Sequence, residues 1–335
     1  MLRVGQPVAE RYVVVQQLTQ KQPGVFVVRH RALERLFVLK LLTVGSSAPV
    51  RQQRERRAMA RLRHANVVSV VDIIDAAPLI DRPGVGLIME YVPGVTLRWV
   101  ISDLRVAEDE DELSVSREER EALGAQILRG VGAIHAAGFI HRDLKPSNIL
   151  ISDEDGALRA QIADFGLARE IDRRAAYTPI GATLGTERYA APEQVRDGQA
   201  ADARADIFAL GAVLYELFDG HSGFSKPADF YQFAYSGQPA PAPLSGRRFP
   251  IPDRIRQTIH KALSHDPHER FSSAQEMLSS WLGRPLPKRR PLPKRLLEHP
   301  DDQDLCAHPL PAWVDSHLEI CLSCAERYDA LMNTS

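Results

Sequence analysis

The run His141-Arg142-Asp143-Leu144-Lys145-Pro146-Ser147-Asn148 sets an acid, a lysine and a carboxamide on one short loop. Sixteen residues past Asn148 comes Asp164-Phe165-Gly166, and later Ala191-Pro192-Glu193. A single Asp-Phe-Gly carries little weight, because an acid, an aromatic and a glycine meet often by chance. Three such motifs in this order and at these spacings carry far more. Charged and amide groups are costly to bury without partners, and a stable core has no use for so many together. They mark a site.

The three motifs resemble those of the protein kinase family, most closely the bacterial Ser/Thr kinases of eukaryotic type. The resemblance covers about Arg11 to Leu282. It implies an α+β, two-lobed protein-kinase-like fold. A small β-rich N-lobe would span about residues 11–90 and a large helical C-lobe about 95–282. It also implies ATP, Mg2+ and protein substrates whose serine or threonine hydroxyls receive the γ-phosphoryl group. Asp143 would accept the hydroxyl proton, and Lys145 would neutralise charge on the group in flight. Asn148 and Asp164 would hold the magnesium ions. His141 and Phe165 are expected to pack rather than react. The lysine two places after the acid follows the Ser/Thr pattern rather than the tyrosine one.

Downstream, the same resemblance pairs Arg142 with a phosphorylated residue on the loop 167–190, since guanidinium suits phosphate. Thr178 and Thr183 are the candidates there. Gly185-Thr186-Glu187-Arg188-Tyr189 resembles the segment that holds the substrate's backbone, with Thr186 bonded to Asp143 or Lys145. Glu193 calls for a buried partner, and Arg270 fits. Asp206 opens an apolar helix and would accept hydrogen bonds from the backbone of the 141–148 loop. Further helices follow Pro227, Asp253 and Ser273. Ser116 with Glu119 reads as a capping box at the start of a long helix to Gly138. Leu123, Ile127, Val131 and Ile134 recur along it at helical spacing and should face the core.

In the N-terminal part, Tyr12–Val15 and Val25–Val28 are β-branched runs that read as strands. The family's glycine-rich loop should lie between them, yet only Gly24 remains of it and the loop is about one residue short. That departure supports a second reading, a pseudokinase or scaffold that binds partners through the fold. Lys40 sits inside the apolar strand Leu36–Leu42, a costly place unless it is paired. It reads either as an edge lysine reaching solvent or, by the resemblance, as the lysine that holds ATP phosphates. Its partner would be Glu55, the sole acid of the helix expected at about 50–62. Val25, Val38 and Leu150 would enclose adenine, and backbone groups of Glu90 and Val92 would bond it. Met89 is equally consistent with a gatekeeper and with a core residue. The acidic stretch Glu108–Glu112 reads as a solvated insert.

A linker over 283–298 repeats Arg-Pro-Leu-Pro-Lys-Arg and favours an extended polyproline II spacer. In the tail, 299–335, His317, Cys321 and Cys324 would share one helix face. His-x3-Cys-x2-Cys resembles the zinc-binding anti-sigma segment, with Cys306 as fourth ligand and His308 as its rival. The expectation is a small helical appendage held by zinc, open to a regulatory partner. Unliganded thiols on an ordinary amphipathic helix are the alternative. The chain of 335 residues is 44% hydrophobic and 25% charged, with a net charge of −1. No global field draws in nucleic acid or membrane, no run approaches the length of a membrane span, and Met1–Glu10 lacks a leader's apolar core. A cytoplasmic protein is expected.

Overall fold

The computed structural model describes residues 2–18, 24–43, 60–80, 83–106, 113–164, 187–197, 202–244 and 250–284. The chain divides into two units, Met1–Pro285 and Leu286–Ser335, and every described residue lies in the first.

Its N-terminal part is a six-stranded antiparallel sheet in the order β1-β2-β3-β4-β6-β5. The strands are β1 Pro7–Val8, β2 Tyr12–Gln17, β3 Val25–His30, β4 Leu36–Thr43, β5 Val70–Asp75 and β6 Gly84–Glu90. A short helix, α1 (Ala77–Ile80), joins β5 to β6. Alternation assigns the two faces. Phe26, Val28, Phe37, Leu39 and Ile88 pack on one face with Leu2, Val8, Tyr12 and Val14. The sheet and its core therefore start upstream of Arg11. The cross-strand pairs Val25 with Lys40, Val27 with Val38, and Val38 with Met89 share the opposite face. Val25, Val38 and Lys40 thus line up on the side away from that core.

The C-terminal part is helical apart from a small sheet of β7 (Val95–Thr96), β8 (Ile149–Glu154) and β9 (Ala157–Ile162). Its helices are α2 (Leu97–Val106), α3 (Arg117–Ala136), α4 (Pro192–Arg196), α5 (Ala203–Asp219), α6 (Pro227–Ser236), α7 (Asp253–Ala262) and α8 (Ala274–Leu282). Ser116 caps α3, receiving the Glu119 N–H while the Glu119 carboxylate accepts from the Ser116 backbone. Leu123, Ile127, Val131 and Ile134 are fully buried. α5 is apolar nearly all round, from Ala205 to Phe218, and is buried accordingly. α8 packs on α3 where Gly124 has no side chain: a Cβ there would lie 2.3 Å from the Trp281 ring. Among the described residues no helix is long and apolar enough to cross a membrane.

Candidate active site

The 141–148 loop runs from α3 to β8, and its shape is imposed by a buried acid from α5. Asp206 accepts the backbone N–H of His141 at 2.7 Å and of Arg142 at 2.8 Å. His135 Nε2 lies 2.8 Å from the same carboxylate. These contacts hold Arg142 at φ 64°, a left-handed conformation that costs a non-glycine residue energy. Gln194 Nε2 donates to the Arg142 carbonyl from α4. His141 is buried, and burial pushes its imidazole below the usual range, opposed by Asp206 and the Ala163 carbonyl. The neutral ring donates from Nε2 to Ala163 O and accepts the Asp143 N–H at Nδ1. Its role is to fold the loop.

That loop presents three polar side chains together. Lys145 Nζ lies 3.0 and 2.8 Å from the two Asp143 carboxylate oxygens. Asn148 Nδ2 donates to the Asp143 carbonyl at 2.8 Å and to Oδ2 at 3.2 Å. The Asp143 side chain stays 56% exposed, so a solvent-borne group can reach it. Asp164, at φ 62°, follows β9 and meets Lys40 from β4 across a 2.7 Å ion pair. Lys40 therefore has a partner inside its apolar strand, and it spans from the sheet to the β9 loop. Among the described residues, no hydrogen bond engages Asn148 Oδ1 or Asp164 Oδ2. Both are hard oxygens of the kind Mg2+ prefers, so these residues fit the ion.

Leu150 lies on β8, opposite Thr96 and Gln161. The Glu90 N–H donates to Ser69 O at the end of β6. Val92 is half-buried, and no hydrogen bond engages its N–H among the described residues. An amide without a protein partner can donate to a ligand.

Two clamps fix the segment after residue 187. Arg270 is fully buried and grips Glu193 with both Nη atoms, at 2.8 and 2.9 Å. Its remaining donors reach the carbonyls of Ser264, Arg204 and His265. Tyr189 donates to the buried Glu216 of α5 at 2.9 Å. Burial, reinforced by Glu216, pushes the Tyr189 phenol up to about 12, so it stays a donor. The sequence carries a signal for Glu216, an acid inside the apolar run of α5. His135 and Gln194 gave no comparable signal. Glu55, Phe165, Thr178, Thr183 and Thr186 lie outside the described residues. So do Cys306, His308, His317, Cys321 and Cys324.

Residues 21–282 match the family described as Protein kinase domain. The chain is 35% identical over 224 residues to serine/threonine-protein kinase PknL of Mycobacterium tuberculosis, covering 67% of this chain and 51% of that protein. It is 34% identical over 232 residues to serine/threonine-protein kinase PknB of Mycolicibacterium smegmatis, covering 68% of this chain and 35% of that one. The chain thus spans about half or less of the length of these curated relatives. The crystal structure of the PknI kinase domain of Mycobacterium tuberculosis superimposes with a TM-score of 0.61 at 26% identity, covering 84% of this chain and 98% of that chain. With that match over most of its length, and with the motif residues gathered as described, the chain belongs to the protein kinase family.

Proposed function

We propose that this chain is an ATP-dependent serine/threonine protein kinase acting on protein substrates. The observation that carries the reading is the paired geometry of Lys40 with Asp164 and of Asp143 with Lys145 and Asn148. Paired charges and an amide gathered on partly exposed side chains are what binding a polyanion and its cations would use. The substrate hydroxyl oxygen attacks the γ-phosphorus while the bond from phosphorus to the ADP oxygen breaks. Asp143 orients the hydroxyl and takes its proton. Lys145 balances charge on the group in transit. Lys40 holds the α- and β-phosphates, with Glu55 as the acid that positions it. Asn148 and Asp164 supply oxygens for Mg2+, which when bound neutralises phosphate charge. Val25, Val38 and Leu150 enclose adenine, and the backbones of Glu90 and Val92 bond its edge. The test is radiolabelled-ATP transfer by wild type against Asp143→Ala. Loss of about 10²-fold or more is expected, the usual worth of a positioned acid–base group. A wild-type protein that transfers nothing would overturn the reading.

Activation-loop phosphorylation at Thr178 or Thr183, read by Arg142, belongs to the same proposal, with Thr186 anchoring the substrate segment. Mass spectrometry of ATP-treated protein should find phosphate there, and its absence rejects the idea.

The tail beyond the 283–298 linker is proposed as a separate zinc-bound unit at 299–335 that receives a regulatory partner. The support is the spacing of His317, Cys321 and Cys324, with Cys306 or His308 completing four ligands. Elemental analysis should give one zinc per chain; a metal-free protein removes the claim.

A further inference from the structure

Two carboxylates, Glu193 mostly buried and Glu216 fully so, tie down the segment 187–197, and they are neutralised in opposite styles. Glu193 meets one arginine, Arg270, which is 0% exposed and spends its donors inside the protein. Glu216 is 1% exposed and faces three: Arg188 at 3.1 Å, Arg98 at 3.6 Å and Arg105 at 3.9 Å. Those arginines keep 30%, 34% and 34% of their side-chain surface. Arg98 and Arg188 alone set two positive charges against one negative, a surplus of one, and among the described residues no other carboxylate pairs with either.

The surplus is held rigidly. The guanidinium carbons of Arg98 and Arg188 lie 5.8 and 5.6 Å from the Tyr189 ring centre. Arg98 also donates to the Tyr189 hydroxyl at 2.7 Å. Arg105 is anchored separately on the Gly220 carbonyl. Among the described residues Arg188 engages Glu216 through Nε alone, 3.1 Å from Oε1 but outside hydrogen-bond geometry. A planar fork with unspent donors matches carboxylate or phosphate oxygens.

Position links this cluster to the reacting loop. α2, which carries Arg98, packs against residues 146–148. Arg188 lies just ahead of α4, whose Gln194 bonds the Arg142 carbonyl beside Asp143. One carboxylate needs only one arginine to be satisfied, as Glu193 demonstrates. We propose that Arg98 and Arg188, fixed around Glu216, form a subsite for an anionic side chain of the peptide being phosphorylated. The substrate class is then acidic: aspartate, glutamate or an already phosphorylated residue near the acceptor hydroxyl. The proposal rests on the kinase reading above.

The test uses the full chain and a set of serine peptides that differ at one flanking position at a time, carrying alanine, lysine, glutamate or phosphoserine. Initial rates with radiolabelled ATP give kcat and KM for each. At one flanking position or more, glutamate or phosphoserine should raise kcat/KM over lysine by about ten-fold, mainly through KM, as a charge-assisted hydrogen bond would. The phosphoserine and glutamate arms separate the two sources of negative charge. Raising salt from about 0.05 to 0.5 M should shrink the preference, because the charges face solvent. Arg98→Gln and Arg188→Gln should each reduce the glutamate-to-lysine ratio, and each leaves two arginines to hold Glu216. Peptide phosphorylation with no anionic preference at any position, or a preference indifferent to salt and to both variants, overturns the subsite and leaves the kinase reading standing. Absence of transfer to every peptide and to the chain itself brings both down.

Discussion

At the scale of single residues, Arg270 illustrates how a charge becomes structural. Each of its nitrogens has an acceptor, and Glu193 receives a two-pronged grip. Arg270→Ala would leave a mostly buried carboxylate without its counter-charge. Breaking one side of such a pair costs about 3–5 kcal/mol. Urea unfolding should show that loss, and a change under about 1 kcal/mol would mean the pair is dispensable. A second residue-scale prediction concerns pH. Burial holds His64, His141 and His260 below the ordinary histidine value, with Arg129 adding to it at His64 and Arg256 at His260. The unfolded chain protonates these rings below about pH 6.5, while the folded chain resists. Stability is therefore complete above about pH 6.5 and falls as pH drops below it. Asp219, whose carboxyl is pushed up by burial, works against that trend. Urea midpoints at about pH 7.5 and 5.5 should differ in that order; a midpoint that rises on acidification would refute it.

At the scale of elements, α3 is the frame that carries the 141–148 loop. Its start depends on the reciprocal Ser116–Glu119 cap. Ser116→Ala should cost about 1 kcal/mol, read from denaturant unfolding, and a neutral result would show the cap is idle. Its middle depends on Gly124. Alanine is normally the better helix former, by about 1 kcal/mol. Here the added methyl meets the Trp281 ring, so Gly124→Ala should lower stability by about 1–3 kcal/mol despite that preference. An unchanged or raised melting temperature would contradict the packing argument. These elements also show what sequence can disclose. The cap, the apolar stripe of Leu123 to Ile134 and the pairing of Glu193 with Arg270 were legible, because local spacing or motif resemblance names both partners. The convergence of Arg98, Arg105 and Arg188 on Glu216 was not, because those residues belong to separate elements and only the fold brings them together. Lys40 was legible as a lysine in need of a partner. That it meets Asp164 follows from the sheet's face and the turn after β9, neither of which spacing reveals.

At the scale of the whole molecule, the Lys40–Asp164 pair joins the β-sheet to the helical part through one ion pair. Both side chains are about a fifth exposed, so the pair by itself contributes little to stability. Its value lies in what it can receive. On the proposed kinase reading, a triphosphate would offer Lys40 an anion and a magnesium ion would offer Asp164 a cation, so nucleotide would exchange one pair for two. A ligand that binds only the folded state stabilises it by RT ln(1 + [L]/Kd), about 2.7 kcal/mol at a hundred-fold excess over Kd. Mg2+ with a non-hydrolysable ATP analogue should therefore raise the melting temperature of the wild-type chain in a concentration-dependent way. Lys40→Met should lose most of that shift while melting near the wild-type temperature without nucleotide. Nucleotide without Mg2+ should stabilise less than the two together, since no cation would then offset the charge of Asp164 and the phosphates. A wild-type chain indifferent to nucleotide at millimolar concentration, or a Lys40→Met variant that responds as strongly as wild type, would show that this ion pair does not mark a nucleotide cleft.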